Sequence, residues 1–182
     1  TGTIEAARLP SASDTASGIS ELATAAETTT GTDGTRAVTP DGLAGSDFGK
    51  DVIIVEVIAD ATAVATGDGK AYIPMPAKHD GWNIVAVQAH VGAAVSSSGA
   101  VTVDIARCAA VATGIRCSGA VDVLSTNITI DANEDGTETA ATAAVIDTAN
   151  DDAVTGGWWR IDVDGAGTGT QGLYLIITLQ KP

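Results

Sequence analysis

From residue 50 to residue 182, short apolar runs alternate with clusters of Gly, Asp, Asn and Thr. The runs are rich in Val and Ile, which favour strands, and the clusters consist of residues that favour turns. About eight strands are predicted, over residues 52–59, 70–75, 82–91, 100–108, 127–131, 143–147, 158–164 and 173–179. This number and spacing predict an all-β fold, an antiparallel β-sandwich that is jelly-roll-like.

The predicted strand over residues 82–91 indicates which side chains share a face. Side chains along a strand point alternately to its two sides, so the residues divide by position. One face carries Ile84, Ala86 and Gln88, and the other carries Val85, Val87, Ala89 and Val91. Residues 132–156 show no sustained helical spacing, and we predict a loop with one strand there.

Residues 1–49 contain few bulky apolar residues. We predict that they form an extended N-terminal segment for attachment or trimerisation, and that residues 50–182 form a β-sandwich head. One helix start is recognisable in the segment. Thr39 fits the N-cap position and Pro40 fits the first helical position. We predict a single helical turn that ends near Gly45.

Residues 17–43 of that segment, SGISELATAAETTTGTDGTRAVTPDGL, contain three short motifs. They are G-I-x-x-L-A from Gly18, G-T-D from Gly31 and R-A-V-T-P from Arg36. In this combination they resemble the short repeat of bacteriophage tail-fibre proteins. Residues 67–179 are similar, more loosely, to C-terminal modules of phage and prophage structural proteins. The resemblance implies a virion structural protein and implies no enzyme family.

The resemblance also implies a homotrimer, because phage fibre repeats are generally built from three copies around one axis. The apolar positions of the segment are too few to bury one another within one chain, and neighbouring copies can cover them. We therefore expect the four bulky apolar residues of the stretch 17–43 to mediate trimerisation, or attachment to other virion proteins. They are Ile19, Leu22, Val38 and Leu43.

The expected function is attachment to the host surface by a tail fibre or receptor-binding tip. Such a protein is assembled in the host cytoplasm, is exposed on the virion and takes a host-surface glycan as its candidate ligand. The alternative is a head fibre or cement protein that decorates the capsid and has no receptor role. A non-viral surface adhesin is a third hypothesis.

A fourth hypothesis is a polysaccharide-degrading tailspike. It requires an acid pair in a cleft, for which Asp162 and Asp164 are the candidates. His79 and His90 have no Ser or Cys nucleophile at a recognisable spacing. We therefore expect that the protein is not an enzyme and has no catalytic residues.

The formal net charge of the chain is −14. Nucleic-acid binding requires clustered Lys and Arg, so a nucleic-acid partner is not expected. No stretch approaches the roughly 20 apolar residues that cross a bilayer, and we expect no membrane insertion. Because the numbered chain starts at Thr1 and not at Met, we expect a processed product or the C-terminal piece of a longer protein.

Asp131, Asn133, Asp135 and Gly136 spell D-x-N-x-D-G, the first half of a calcium loop. The second half is absent, because Thr142 stands where a bidentate Glu is required. The two interpretations are a Ca²⁺ site at Asp131, Asn133 and Asp135 and a polar turn between strands. The turn is favoured, and we expect no other cofactor.

Cys108 and Cys117 flank a predicted turn. If the turn centres on Ala112 and Thr113, the cysteines lie opposite each other on neighbouring strands and can form a disulfide bond. A turn at Thr113 and Gly114 moves them out of register. Because phage proteins assemble in a reducing cytoplasm, two free thiols are the expected state and a disulfide bond is the alternative.

Trp158 and Trp159 are adjacent in a predicted strand, so their side chains must point to opposite faces. The inward side chain belongs to the core. The outward one either packs against a neighbouring subunit or offers a flat platform to a sugar. We favour the subunit contact, because a trimer needs buried aromatic anchors and the chain has few aromatic residues.

Overall fold

The computed structural model describes residues 11–13, 18–108 and 117–182. The chain divides into two compact units, Thr1–Lys50 and Asp51–Pro182. The division lies one residue after the predicted boundary between segment and head. No helix within the described ranges is long and apolar enough to cross a membrane.

In its described residues, the first unit contains two short helices, α1 at Ala25–Thr30 and α2 at Pro40–Ala44. A 3-10 turn at Asp47–Gly49 follows them. Helix α2 forms at the predicted place, because the Thr39 side chain accepts a hydrogen bond from Gly42 N at 3.0 Å. The single helical turn predicted from Thr39 and Pro40 is confirmed.

Helix α1 is absent from the sequence-based prediction, although its start carries a recognisable signal. Thr24 and Glu27 form a capping box, in which Glu27 N donates to Thr24 Oγ1 at 3.3 Å and Thr24 N donates to Glu27 Oε2 at 3.0 Å. Gly31 ends the helix in the left-handed conformation, with φ at 67°. The Thr residues after Glu27 are poor helix formers, so the cap is needed to hold this short helix.

Ten strands occur in the described residues, and each of the predicted strands overlaps one of them. The short strands β5 and β6 are the two that the sequence does not predict. The strands are β1 Lys50–Ala63, β2 Gly67–Pro74, β3 Asn83–Ala94, β4 Val101–Cys108, β5 Val121–Asp122, β6 Leu124–Thr126, β7 Ile128–Ile130, β8 Val145–Ile146, β9 Trp158–Ala166 and β10 Gln171–Gln180.

The strands form two larger sheets and one two-stranded ribbon. The three-stranded sheet has the order β1-β10-β3, and the five-stranded sheet has the order β2-β9-β4-β5 with β7 also paired to β4. Strands β6 and β8 pair as the ribbon. The long strands β1, β2, β3 and β4 alternate between the two sheets, as the strands of a jelly roll do. The predicted all-β antiparallel sandwich is confirmed.

One hydrophobic cluster fills the space between the two larger sheets. Leu175 and Ile177 of β10 belong to it, as do Ile105 of β4 and Ile161 and Trp159 of β9, all with 0% exposure. Aromatic residues are only 3% of the sequence, so Val, Ile and Leu supply most of the packing. The core therefore depends on close contact between the two sheets.

A β-bulge in β3 corrects the predicted assignment of faces. Thr178 of β10 is opposite Ala86 and Leu179 is opposite Ile84, so Val85 is an extra residue on β3. One extra residue reverses the alternation, and Ile84, at 2% exposure, lies on the core face instead of sharing a face with Ala86.

We expect Ile161→Ala to lower the free energy of unfolding by about 2–5 kcal/mol, because it leaves a cavity between the sheets. Urea unfolding followed by tryptophan fluorescence measures this change. The control is Val154→Ala, whose side chain is 47% exposed in the loop before β9. The control should change stability by no more than about 0.5 kcal/mol. Equal effects of the two variants would contradict this description of the core.

Candidate functional site

Arg36 joins separate parts of the first unit through carboxylates. Its Nη1 lies 2.6 Å from Glu27 Oε1 and 2.8 Å from Asp33 Oδ2, and its Nη2 lies 3.2 Å from Glu21 Oε2. The hydrogen bond to Glu21, with the charges of the other two carboxylates, raises the pKa of Arg36. These four residues lie in the stretch 17–43, and the contacts explain why one Arg occurs there with three acidic residues around it.

Backbone contacts complete the fold of this stretch. Leu22 and Ala37 form a parallel bridge, in which Ala23 N donates to Ala37 O and Ala37 N donates to Glu21 O, each at 2.9 Å. The loop between them is closed by Asp33, whose Oδ1 accepts a hydrogen bond from the Thr35 backbone N at 2.8 Å. Hydrogen bonds and ion pairs therefore hold the described part of the first unit in its conformation.

In the described part of the first unit, the bulky apolar side chains face solvent in the single chain. The exposed fractions are 44% for Ile19, 61% for Leu22, 52% for Val38, 46% for Leu43 and 69% for Phe48. Four of these residues are the predicted trimerisation residues, and Phe48, the single Phe of the sequence, joins them.

The buried residues in the described part of the first unit are of a different kind. They are Thr28, Gly42 and Ser46, none of which has a bulky apolar side chain. The first unit therefore has an apolar surface and no apolar core among its described residues. This is the candidate subunit interface, and we call it the N-terminal apolar surface.

The two adjacent tryptophans of the second unit lie on opposite faces of β9. Trp159 points into the core and is fully buried, while Trp158 is half-buried on the outer face of the five-stranded sheet. The ring of Trp158 meets Tyr72 of β2 edge-on, with centroids 6.5 Å apart and planes at 81°. Tyr72 thus covers part of the surface that Trp158 would otherwise offer to a subunit or a sugar.

The same outer face carries a buried ion pair beside the aromatic pair. Arg160 Nε and Nη2 bind the Asp162 carboxylate in a fork, at 2.9 Å to Oδ1 and 2.6 Å to Oδ2. Gly69 N also donates to Asp162 Oδ1, at 2.7 Å. The hydrogen bond to Asp162 raises the pKa of Arg160. The fork lies within β9, and the hydrogen bond from Gly69 joins β2 to β9 on the side away from the core.

Asp104 of β4 lies directly across from Asp162 and is only 8% exposed. Burial raises the pKa of Asp104 to about 7, against the effect of the hydrogen bond that Ile105 N donates to its Oδ1 at 2.7 Å. Nearby carboxylates, those of Asp122, Asp164 and Asp162, raise the pKa further.

These carboxylates do not form an open acid pair. Asp162 is 4% exposed and held by the arginine fork, and Asp104 is 8% exposed. Asp164 is exposed, but its Oδ2 accepts a hydrogen bond from Asn127 Nδ2 at 2.7 Å. Glycoside hydrolysis requires two carboxyl groups that reach the same substrate. The burial of Asp162 and Asp104 therefore favours a structural role for this face.

The environment of His79 also fits a structural role. Its Nε2 lies 2.9 Å from Asp51 Oδ2, and its ring packs 5.1 Å from the ring of Trp82. Lys78 Nζ binds the same Asp51 oxygen at 2.6 Å. Hydrogen bonds from Lys78 and His79 lower the pKa of Asp51 to about 2. These contacts fasten the start of β1 to the turn that precedes β3.

The residues proposed for calcium form a turn that is tied to neighbouring strands. Asp131 Oδ2 accepts a hydrogen bond from Ala141 N at 2.8 Å, and the Asp135 carbonyl accepts one from Val91 N at 2.9 Å. Asn133 has a left-handed conformation, with φ at 67°. The described residues contain no group of three or more His, Cys, Asp and Glu side chains that could hold a metal. The geometry thus favours the polar turn over the calcium site.

Cys108 and Cys117 form a disulfide bond, with Cα atoms 4.9 Å apart. This corrects the expectation of two free thiols. The residues of the turn between them, 109–116, lie outside the described ranges, and so do the turn positions considered in the sequence analysis.

No family model, no curated protein and no solved structure matches this chain. The function must therefore be inferred from the residues and surfaces of the chain itself.

Replacing Asp104 by Asn should make the protein more stable at neutral and alkaline pH. The folded chain binds the Asp104 proton more tightly than the unfolded chain, because the pKa rises from 3.8 to about 7. The free energy of unfolding then falls as the pH rises between those values, and Asp104→Asn should remove a fall of about 2–4 kcal/mol.

Urea unfolding at about pH 5 and about pH 8 tests this expectation. Asp152→Asn changes an exposed carboxylate and is the matched control. The same pH dependence in wild type and Asp104→Asn would show that Asp104 does not hold its proton in the folded chain.

Proposed function

We propose that this chain is a bacteriophage virion protein, a homotrimeric fibre-type module that acts in attachment to the host surface. The observation that carries the proposal is the N-terminal apolar surface. Its five bulky side chains are 44–69% exposed, while the buried residues in the part of that unit that the structure describes have no bulky apolar side chain.

Association is the physical reason to place such side chains on a surface. Burying the exposed half of one of them is worth about 1 kcal/mol, so the effect depends on all of them acting together. Within one chain the described part of the unit offers no apolar core to receive them. Copies of the chain around one axis can cover each other's apolar side chains and leave the carboxylates around Arg36 in water.

The resemblance of residues 17–43 to the tail-fibre repeat supports a trimer over other assemblies and a virion over other locations. The carboxylates of that stretch, those of Glu21, Glu27 and Asp33, each contact Arg36 and support a defined conformation of the stretch. Such a unit is suited to hold copies together and to attach them to other virion proteins.

The sandwich would supply the contact with the host. Trp158 and Tyr72 form an aromatic pair on the outer face of the five-stranded sheet, and the uncovered part of Trp158 can stack against a sugar ring. The alternative function is capsid decoration without a receptor role. The coverage of Trp158 by Tyr72 favours that alternative, because it reduces the aromatic surface that a glycan could use.

The purified chain should have a solution mass three times its monomer mass of 18.0 kDa, measured by light scattering. A double variant, Leu22→Asp with Val38→Asp, should be a monomer with an unchanged circular dichroism spectrum, because both side chains are more than half exposed in the single chain. Val154→Asp, an exposed position in the second unit, should remain a trimer. A monomeric or dimeric wild type would contradict the proposal.

A glycan array probed with the trimer separates attachment from decoration. If the sandwich binds glycans, Trp158→Ala should weaken binding about tenfold, because it removes the exposed part of the aromatic pair. Val121→Ala, which also changes an exposed apolar side chain of the five-stranded sheet, is the control and should bind as wild type does. A trimer that binds no glycan would favour capsid decoration.

A further inference from the structure

Among the described residues, the edge of β3 that faces away from β10 forms backbone bridges at two points. One side of β3 pairs with β10 along its length. On the other side, His90 bridges to Gly136 and Asn83 bridges to Asp152. The segment between Gly136 and Asp152 therefore leaves the sheet edge and returns to it, where a fourth strand would otherwise pair with β3.

A cavity of about 300 Å³ lies between these two points. One wall is β3 at Val85, Ala86, Val87 and Gln88. The other walls come from β7 and from the segment that leaves the edge, and their residues are Ile128, Thr129, Thr137, Ala140, Thr142, Ala143, Ala144 and Ile146. The lining contains no charged and no aromatic side chain. Its size is at the lower end of the range for ligand sites.

The cavity faces unpaired backbone groups of β3. Val91 N donates to Asp135 O, on the side of β3 away from β10. The N–H and C=O groups of successive residues point to opposite edges of a strand. Ala89 and Val87 therefore also direct their N–H groups away from β10, and Ala89 N reaches Thr137 Oγ1 at 3.3 Å. No hydrogen bond within the described residues reaches the outward N–H and C=O groups of Val87.

We propose that this cavity binds a short extended peptide segment of another protein, which adds to the edge of β3 at Val85–Val87. The unpaired N–H and C=O of Val87 would form hydrogen bonds with the peptide backbone, as in other cases of strand addition. The site is separate from the N-terminal apolar surface and does not depend on the proposed trimer.

The lining and its surroundings define the chemistry of the peptide. A cavity lined by Ala, Val, Ile, Thr and one Gln accepts small uncharged side chains and offers no charged group to pair with a buried charge. Acidic residues flank the segment at both ends, since Glu138 follows Thr137 and Asp147 follows Ile146. The formal net charge of the chain is −14. The favoured peptide therefore has a small apolar centre and basic residues on either side.

Two other ligand classes fit less well. A sugar ring is best held against a flat aromatic side chain, and the lining has no aromatic ring, although it includes three Thr and one Gln. An anion requires a cationic side chain or a free helix terminus, and the lining includes neither.

The probe for the test is acetyl-Lys-Ala-Val-Ala-Lys-amide, titrated into the ¹⁵N-labelled full chain. NMR should show saturable shifts of the Val87 and Ala89 amides, with a dissociation constant of about 0.1–1 mM. The same peptide with an N-methylated central Val lacks the N–H that would pair with Val87 O, and should bind at least about fivefold more weakly. A Glu-flanked peptide should also bind more weakly, because of the flanking carboxylates.

A matched pair of variants locates the site. Ala143→Leu should fill the cavity and abolish the shifts, while Ala141→Leu, at an exposed position outside the lining, should leave them unchanged. Amide spectra of both variants check that the sandwich is folded. The proposal is overturned if no amide shifts, if the shifts map to another edge such as β1, or if the N-methylated peptide binds as tightly as the parent.

Discussion

The packing of the two larger sheets against each other is the interaction on which the second unit depends. The central strands β9 and β10 each direct a row of fully buried side chains into the shared core. With one Phe, two Tyr and three Trp in the sequence, aliphatic residues must supply most of the buried area. Aliphatic side chains fill such a space well only when the sheets are close together, so the register of every long strand matters.

The two units are stabilised by different kinds of interaction. The second unit buries its apolar side chains between sheets, whereas the described part of the first unit is held by capping bonds, a parallel bridge and the carboxylates around Arg36. Polar contacts of exposed groups contribute little stability each. A unit of this kind gains most from association, because its apolar side chains are still available for burial. The contrast connects the local structure of the first unit with the proposed trimer.

The outer face of the five-stranded sheet and the free edge of β3 differ in whether their polar groups have partners within the chain. On the outer face, Arg160 satisfies the Asp162 carboxylate and burial raises the pKa of Asp104 to about 7, so that face is closed by its own polar groups. At the edge of β3, Val87 has backbone groups that no described residue satisfies. Unpaired backbone groups beside an uncharged cavity are a stronger indication of binding than buried carboxylates with local partners.

The sequence by itself determined the strands and one helix, because these depend on local patterns. Alternating apolar runs located the eight predicted strands, and Thr39 with Pro40 located α2. The sequence also singled out Ile19, Leu22, Val38 and Leu43, and the structure shows that all four are exposed. The capping box at Thr24 and Glu27 was visible in the sequence and is the signal that could have located α1.

Only the tertiary structure decided features that depend on partners far apart in the chain. The bulge at Val85 arises from pairing with β10, and it moved Ile84 to the core face. The exposure of Phe48 and the gap beside β3 likewise depend on what the rest of the chain covers. Local periodicity reports how a residue relates to its sequence neighbours. Register, burial and unpaired edges are set by contacts between distant segments, and those form only when the whole sandwich folds.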